Sequence, residues 1–414
     1  MRGNRRGFHY AWVIAFCGGL LIFYTIGLIV NSFSLFLDPL IASLHISNAS
    51  ASSIAAVQNI GGMVMSFACR PLCMRFGSRK VILFGGLFAA AGYFYLSTVS
   101  SLGGCYAGFF LVGCGYGMGG MVPASLLVSE WFHARKGIAL TIVSLASAFA
   151  TIVYPPVITF LLARTDIFGV YRFLAGNVLA IILAAFLLVR DHPEDMGLRP
   201  YGFHEGQVPA AVEEKAIPPL KTLLRQKSVR LFLMVAFSMG AIISAVSSHI
   251  AAFYTAEGFS ADYAAAMVSL FGIIMLAAKP IYGVVTDILP LEKTNVGLLI
   301  CLAASMCAPF FFHSNVVPPS LFVILYGFTS PLSAMTFPLW AERIGQHTGG
   351  MASVYPIFRG CYSLGAIALL TLPGLIADKF GTYTPVFLVY FVLSVLSLIL
   401  IQRALRLAKM EVDE

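Results

Sequence analysis

Long apolar runs alternate with short polar breaks along nearly the whole chain, and none of the runs shows the two-residue alternation of a half-buried strand. A helix needs about 20 predominantly apolar residues to cross the hydrocarbon of a bilayer. Twelve stretches meet that length, near residues 10–37, 50–73, 81–100, 105–130, 138–163, 169–190, 229–254, 262–287, 294–313, 320–342, 349–377 and 382–402. Strands of a membrane barrel would be about ten residues long and alternating, so the pattern predicts an all-α membrane protein of twelve transmembrane helices, numbered here spans 1 to 12. The one long polar stretch, residues 191–228, divides them six and six. The expected organisation is therefore an N-terminal six-helix bundle (1–190), a cytoplasmic linker (191–228) and a C-terminal six-helix bundle (229–414), pseudo-symmetric by duplication.

Composition agrees with this: 59% of the 414 residues are apolar and 11% are charged, against about 25% charged in a soluble domain. The placement of the charge adds orientation. With both termini cytoplasmic, twenty Lys and Arg residues fall on the inner side and three (Arg164, Arg172, Lys379) on the outer, as the retention of basic loops on the cytoplasmic side requires. The net charge of +8 is thus a topology signal dispersed over short loops, and no nucleic-acid partner is expected. Trp12, Trp131 and Trp340 fall at inner span ends, where an amphipathic ring suits the headgroup layer. All eight Cys lie within spans, which argues against disulfides; Cys69 and Cys73, one turn apart, are expected to pack rather than bind metal. The basic start MRGNRRGFHYAW runs into span 1 without a small-residue cleavage site and is read as a retained first helix.

Internal similarity supports duplication. Span 4 ends in SEWFHARKG (129–137) and span 10 in PLWAERIG (338–345), while span 2 leads into RPLCMRFGSRK (70–80) and span 8 into KPIYGVVTD (279–287). At RFGSRK, WFHARKGIAL (131–140) and RDHPEDMGLRPYG (190–202) the chain resembles the major facilitator superfamily. HIAAFYTAEGFSADYAAA (249–266) followed by KPIYGVVTD is similar to its bacterial monocarboxylate porter and oxalate/formate exchanger branch. The resemblance extends from about Tyr10 to Arg403 and implies alternating access in a bacterial inner membrane. One departure stands out: where the superfamily has Gly and then Asp-Arg between spans 2 and 3, this chain has Arg70 and Met74-Arg75, whereas the second copy keeps Gly283 and Asp287. An inner gate would then be held from the Asp287 side, with Arg75, Arg135, Glu130 and Glu342 as gate or structural residues of the inner rim.

A charge within a span costs several kcal/mol and marks a functional candidate unless it can reach the interface. Arg70 is near enough to the inner end of span 2 to snorkel. Lys279 lies near the middle of span 8, next to Pro280, whose missing N–H breaks the helix ladder locally. The branch resemblance implies that a basic residue at this place binds the substrate carboxylate, and its exchanger members also have one in the span of Arg359. No Asp or Glu lies near the centre of any span, and the Asp that proton-coupled members carry one turn before the span 8 cation is here Met275. Two cavity cations repel each other until an anion is bound, which favours exchange. His249 could titrate near neutral pH or serve as a hydrogen-bonded gate residue. Asn31, Tyr326 and Tyr362 are further candidate substrate contacts, and Ser244, Ser247 and Ser248 could add hydroxyls.

The run GCGYGMGG (113–120) has no preceding strand, so its glycines are expected to pack helices closely rather than cradle a dinucleotide. Pro155-Pro156 reads as a kink in span 5. No H-E-x-x-H, Walker lysine loop, G-x-S-x-G elbow or Cys/His metal pattern occurs, so no enzyme activity, cofactor or metal is expected. The expected function is secondary active transport of a small organic anion, a mono- or dicarboxylate, by exchange and as a monomer. The alternatives are a proton-coupled monocarboxylate symporter and, in another class, a non-transporting receptor or sensor. A channel would need a selectivity filter, which nothing here resembles.

Overall fold

A computed structural model describes residues 9–203, 225–312, 318–337, 339–340 and 351–413. Among the candidate gate residues, Glu342 and the side chain of Asp287 lie outside the described residues.

Among the described residues eleven helices are long and apolar enough to cross a membrane. Spans 2 (Asn48–Phe76), 3 (Ser78–Leu96), 5 (Lys136–Leu162), 6 (Ile167–Leu188), 7 (Lys227–Ala256), 8 (Ala261–Ile288), 9 (Leu291–Cys307) and 12 (Thr384–Asp413) are single helices. Span 5 stays helical through Pro155-Pro156. The others are jointed. Span 1 passes from an α-helix (Ala11–Ile22) into a π-helical segment (Phe23–Asn31), a 3-10 turn (Phe33–Phe36) and a further short helix (Leu37–Leu44). Within the π segment the Thr25 hydroxyl donates to the Leu21 carbonyl at 2.6 Å and so competes for the ladder. Span 4 breaks at Gly120 into Leu102–Gly119 and Met121–Trp131.

Span 10 departs most from the continuous helix expected over 320–342. Its described helices are Ser320–Phe328 and Pro331–Ala334. Pro331 supplies no N–H, and the backbone tightens around it into i→i+3 bonds: Thr329 N to Tyr326 O at 3.0 Å, Ser330 N to Gly327 O at 3.1 Å and Leu332 N to Thr329 O at 2.9 Å. Span 11 comprises Met351–Ala368 and Leu372–Phe380.

The chain forms two compact units. The first comprises 1–31, 60–150 and 160–211; the second comprises 32–59, 151–159 and 212–414. In the first, span 3 packs on spans 4 and 6, and the start of span 1 packs on the second piece of span 4. Its glycines allow this approach as the sequence pattern expected. A Cβ on Gly115 would press on Ala89 and the Gly85 carbonyl in span 3, and one on Gly117 would meet Met65 and Gly62 in span 2. Cys69 and Cys73 pack with Val81 and Met118. The segment after span 6 is docked instead of hanging as a linker. Tyr201 N donates to Trp131 O at 2.8 Å, and His133 N donates to Tyr201 O at 2.9 Å.

This docking also changes the tryptophan picture. Trp131 is enclosed by protein, with Nε1 donating to the Arg190 carbonyl at 2.9 Å and its ring 5.5 Å from that of Tyr10. Trp12 lies 5.1 Å from the Phe132 ring, and Trp340 is fully buried beside Phe232 and Phe337. Trp131 and Trp340 are thus enclosed at span ends, while Trp12 is partly exposed.

In the second unit span 7 is the central helix, packed on spans 11, 12 and 8, and span 12 also packs on span 9. The seam between spans 7 and 11 rests on two glycines used reciprocally: a Cβ on Gly240 would overlap the Tyr362 carbonyl, and one on Gly365 would overlap the Phe237 carbonyl.

Candidate functional site

Lys279 lies in the second unit with a relative exposure of 5%, within an unbroken helix that carries Pro280. A primary amine at that level of burial, in a helix apolar enough to span a bilayer, is the arrangement expected for an anion site. Arg359, half-buried in span 11, donates from Nη1 to the Ser333 carbonyl in span 10 at 3.2 Å. Its guanidinium carbon stands 5.0 Å from the ring centroid of Tyr362, one turn along. Ser333 is the third residue of the short helix that follows the break in span 10, so the discontinuity brings a backbone carbonyl to Arg359. Arg359 and Tyr362 are thus brought together as one group.

Tyr326 takes a different part. It is fully enclosed, its hydroxyl donates to the Ile243 carbonyl of span 7 at 2.7 Å, and its ring stacks on Phe271 at 5.1 Å. These contacts commit it to joining spans 7, 8 and 10. Asn31, 8% exposed, ends the π segment of span 1 and belongs to the first unit. In span 7 the Ser247 hydroxyl donates to the Ser244 carbonyl at 3.1 Å.

His249 has both ring nitrogens engaged. Nδ1 is 2.8 Å from the Ala245 carbonyl, which can only accept, so Nδ1 carries the proton. In the neutral ring Nε2 is then the acceptor for the Ser52 hydroxyl of span 2, at 2.8 Å. The ring lies 5.9 Å from that of Tyr383 and lines a small cavity with Phe253, Phe322 and Tyr390, about 10 Å³ of space open to the centre of a water molecule.

The candidate rim residues sit as follows. Arg75 is exposed at the end of span 2, over the Phe76 ring at 5.3 Å, and Arg70 is exposed on the same helix. Arg135 is exposed and adopts a left-handed backbone, φ 61°. Glu130 accepts from His192 Nδ1 at 2.9 Å. Glu194 joins them, so that three ligand-type atoms lie within 4.8 Å; all three residues are exposed, and such clusters are common without an ion.

The Glu130 hydrogen bond holds His192 above its ordinary value of 6.5. A raised folded-state value means that the pair stabilises the fold fully below about 6.5 and that this contribution fades as pH rises through the raised value. Both side chains are about half exposed, so the pair is worth at most about 1 kcal/mol. Glu130→Gln is expected to return the His192 NMR titration toward 6.5, with the stability difference from wild type vanishing at alkaline pH.

Several contributors escaped the sequence reading. Asp191, after span 6, accepts from Arg79 N at 2.8 Å and covers the start of span 3, and Gly77, φ 85°, leaves room for its carboxylate. Tyr282, Asn295 and Thr336 form a buried network across spans 8, 9 and 10, with both bonds at 3.2 Å. Asp378 bonds the start of span 2. A polar residue such as Asn295 at 0% exposure is a signal in itself, but its partner is not visible along the chain.

Residues 12–360 match the Major Facilitator Superfamily model, and the chain belongs to that superfamily. Its fold is the twelve-helix fold of those transporters, and it is a multi-pass membrane protein that carries a small molecule, not an enzyme. It is 24% identical to monocarboxylate transporter 13 of Bos taurus over 399 residues, 92% of this chain and 86% of that one. To monocarboxylate transporter 7 of Homo sapiens it is 27% identical over 159 residues, 37% of this chain and only 29% of that protein's length. Among solved structures it is similar to a D-xylose–proton symporter, with a TM-score of 0.71 and 15% identity, covering 94% of this chain and 96% of that one.

Proposed function

We propose that the protein is a secondary active carrier of a small organic anion, a mono- or dicarboxylate, which it exchanges by alternating access. The observation that carries this reading is the burial of Lys279 inside a membrane helix. Arg359, held by Ser333 and Tyr362, is the second cation of the proposed site, with Asn31 and His249 as further polar contacts. Carriage through six-helix bundles 1–190 and 229–414, joined by 191–228, is in keeping with transporters that bind between repeats. Relatives similar to this chain are named as monocarboxylate transporters, which supports the substrate class. The charge distribution supports cytoplasmic termini and the branch resemblance a bacterial inner membrane, and the carrier is proposed to act as a monomer.

A second reading, proton-coupled symport, is favoured by His249, whose acceptor nitrogen is positioned to take a proton. The two are separated in proteoliposomes. Exchange predicts uptake of labelled carboxylate only when unlabelled carboxylate is trapped inside. Symport predicts uptake under an inward pH gradient into empty vesicles, lost in His249→Gln. Gradient-driven uptake that His249→Gln abolishes would overturn the exchange reading. Binding of carboxylates with no flux in either assay would favour a receptor instead.

A further inference from the structure

The first turn of span 2 receives its hydrogen-bond partners from two sources. The opening N–H groups of any helix have no partner within it and carry the positive end of its dipole. The local residue Ser47 accepts from Ser50 N at 3.2 Å. The N–H groups of Asn48 and Ala49 are instead taken by Asp378, some 330 residues away near the end of span 11. Its Oδ1 accepts from Asn48 N and from Asn48 Nδ2, and its Oδ2 accepts from Ala49 N, all at 2.8 Å.

Other polar contacts lie along the same seam. The Tyr383 hydroxyl donates to Asn48 Oδ1 at 3.1 Å, and Ser52 bonds His249 one turn deeper in span 2. Gly374 comes so close that a Cβ there would overlap Asn48 O and Ser52 Oγ. Nearby, Thr255 at the end of span 7 donates to Asp38 in the short helix that follows span 1.

We propose that Asp378 is a latch: it closes one mouth of the carrier by holding the first turn of span 2, and its release is a step of the transport cycle. The proposal rests on the carrier reading above. Two features make this seam a latch and not a permanent joint. Its polar part is three hydrogen bonds to one carboxylate, with close backbone approach at Gly374 alone, against two reciprocal glycines in the seam between spans 7 and 11. Asp378 is also exposed, so water can replace Asn48 and Ala49 around its carboxylate without an unpaired charge being buried. Asp191 does the same capping chemistry for span 3 from the end of span 6.

The test uses the full-length protein in liposomes. Ser52 is 1% exposed, so a thiol introduced by Ser52→Cys is reachable by a membrane-impermeant maleimide only when the seam parts. Labelling at that peptide, read by mass spectrometry, separates it from the eight native cysteines. Asp378→Asn, nearly the same shape, is expected to raise the labelling rate about tenfold, the effect of losing a charged helix cap. Asn48→Ala, which removes only the side-chain bonds, should raise it about threefold. Lys379→Gln, a neutralised neighbour, should leave it unchanged. Equal labelling in the parent and in Asp378→Asn would overturn the latch. Carboxylate flux through the protein with Ser52 retained tests the carrier reading separately, because no flux there beside faster labelling in Asp378→Asn would overturn that reading and leave Asp378 as a latch on span 2 without a transport role.

Discussion

Lys279→Met should abolish carboxylate exchange while leaving the empty protein as stable as wild type or more so. Removing one partner of a buried charge pair costs roughly 2–5 kcal/mol, so counterflow is expected to fall by about 30-fold or more. The stability half of the prediction discriminates more sharply. An amine at 5% exposure carries a desolvation cost, and Met fills a similar volume without it. Replacement of buried charges by apolar groups is often neutral or stabilising. A lysine kept for packing or for a structural ion pair would show the reverse, with melting lowered and exchange retained in whatever fraction still folds. Thermal melting in detergent, with and without added carboxylate, reads both halves: wild type should be stabilised by ligand and Lys279→Met should not. Carboxylate exchange at wild-type rate in Lys279→Met would remove the proposed site.

The largest structural effect is expected at the seam of spans 7 and 11. Gly365→Val should fail to yield folded protein, and Gly365→Ala should cost about 3 kcal/mol, the upper part of the range for overpacking. The reason is what the new carbon would meet. At Gly365 it would overlap the carbonyl of Phe237, and at Gly240 that of Tyr362; neither obstacle is a side-chain tip that can swing aside. Relief would require spans 7 and 11 to slide apart. Gly297→Ala in span 9 is the control, since nothing lies within 4 Å of its added methyl. It should be neutral or stabilising by up to about 1 kcal/mol through helix propensity. Melting midpoints by size-exclusion of heated samples would rank the three.

The spans were legible in the sequence because hydrocarbon tolerates no unsatisfied backbone, which forces long apolar runs into helices. Lys279 was legible for the same reason: one amine in such a run is conspicuous. Contacts between spans were not. Nothing along the chain pairs Asp378 with Asn48 or Gly240 with Tyr362, because helix ends and small residues acquire partners only once the helices are set side by side. The break in span 10 was hidden by its apolarity, although Pro331 marked it, and the docking of the segment after span 6 was hidden because several of its partners at the end of span 4 are backbone groups. Asp191 and Asp378 both cap helices begun elsewhere, a use of acids that no local pattern announces.

The π-helical stretch of span 1 bears on how this chain can be compared with any other. Its hydrogen-bonded rings hold one residue more than those of an α-helix, so angular position counted from Ala11 no longer holds beyond Phe23. Asn31 therefore faces a direction that a 100° wheel assigns to a different residue. A relative in which this stretch is regular α-helix would reach the same depth with fewer residues, and the two chains would align correctly only with a gap placed in the middle of a membrane helix. Ungapped superposition of span 1 would pair Asn31 with the wrong neighbour and misstate which polar group each carrier offers there.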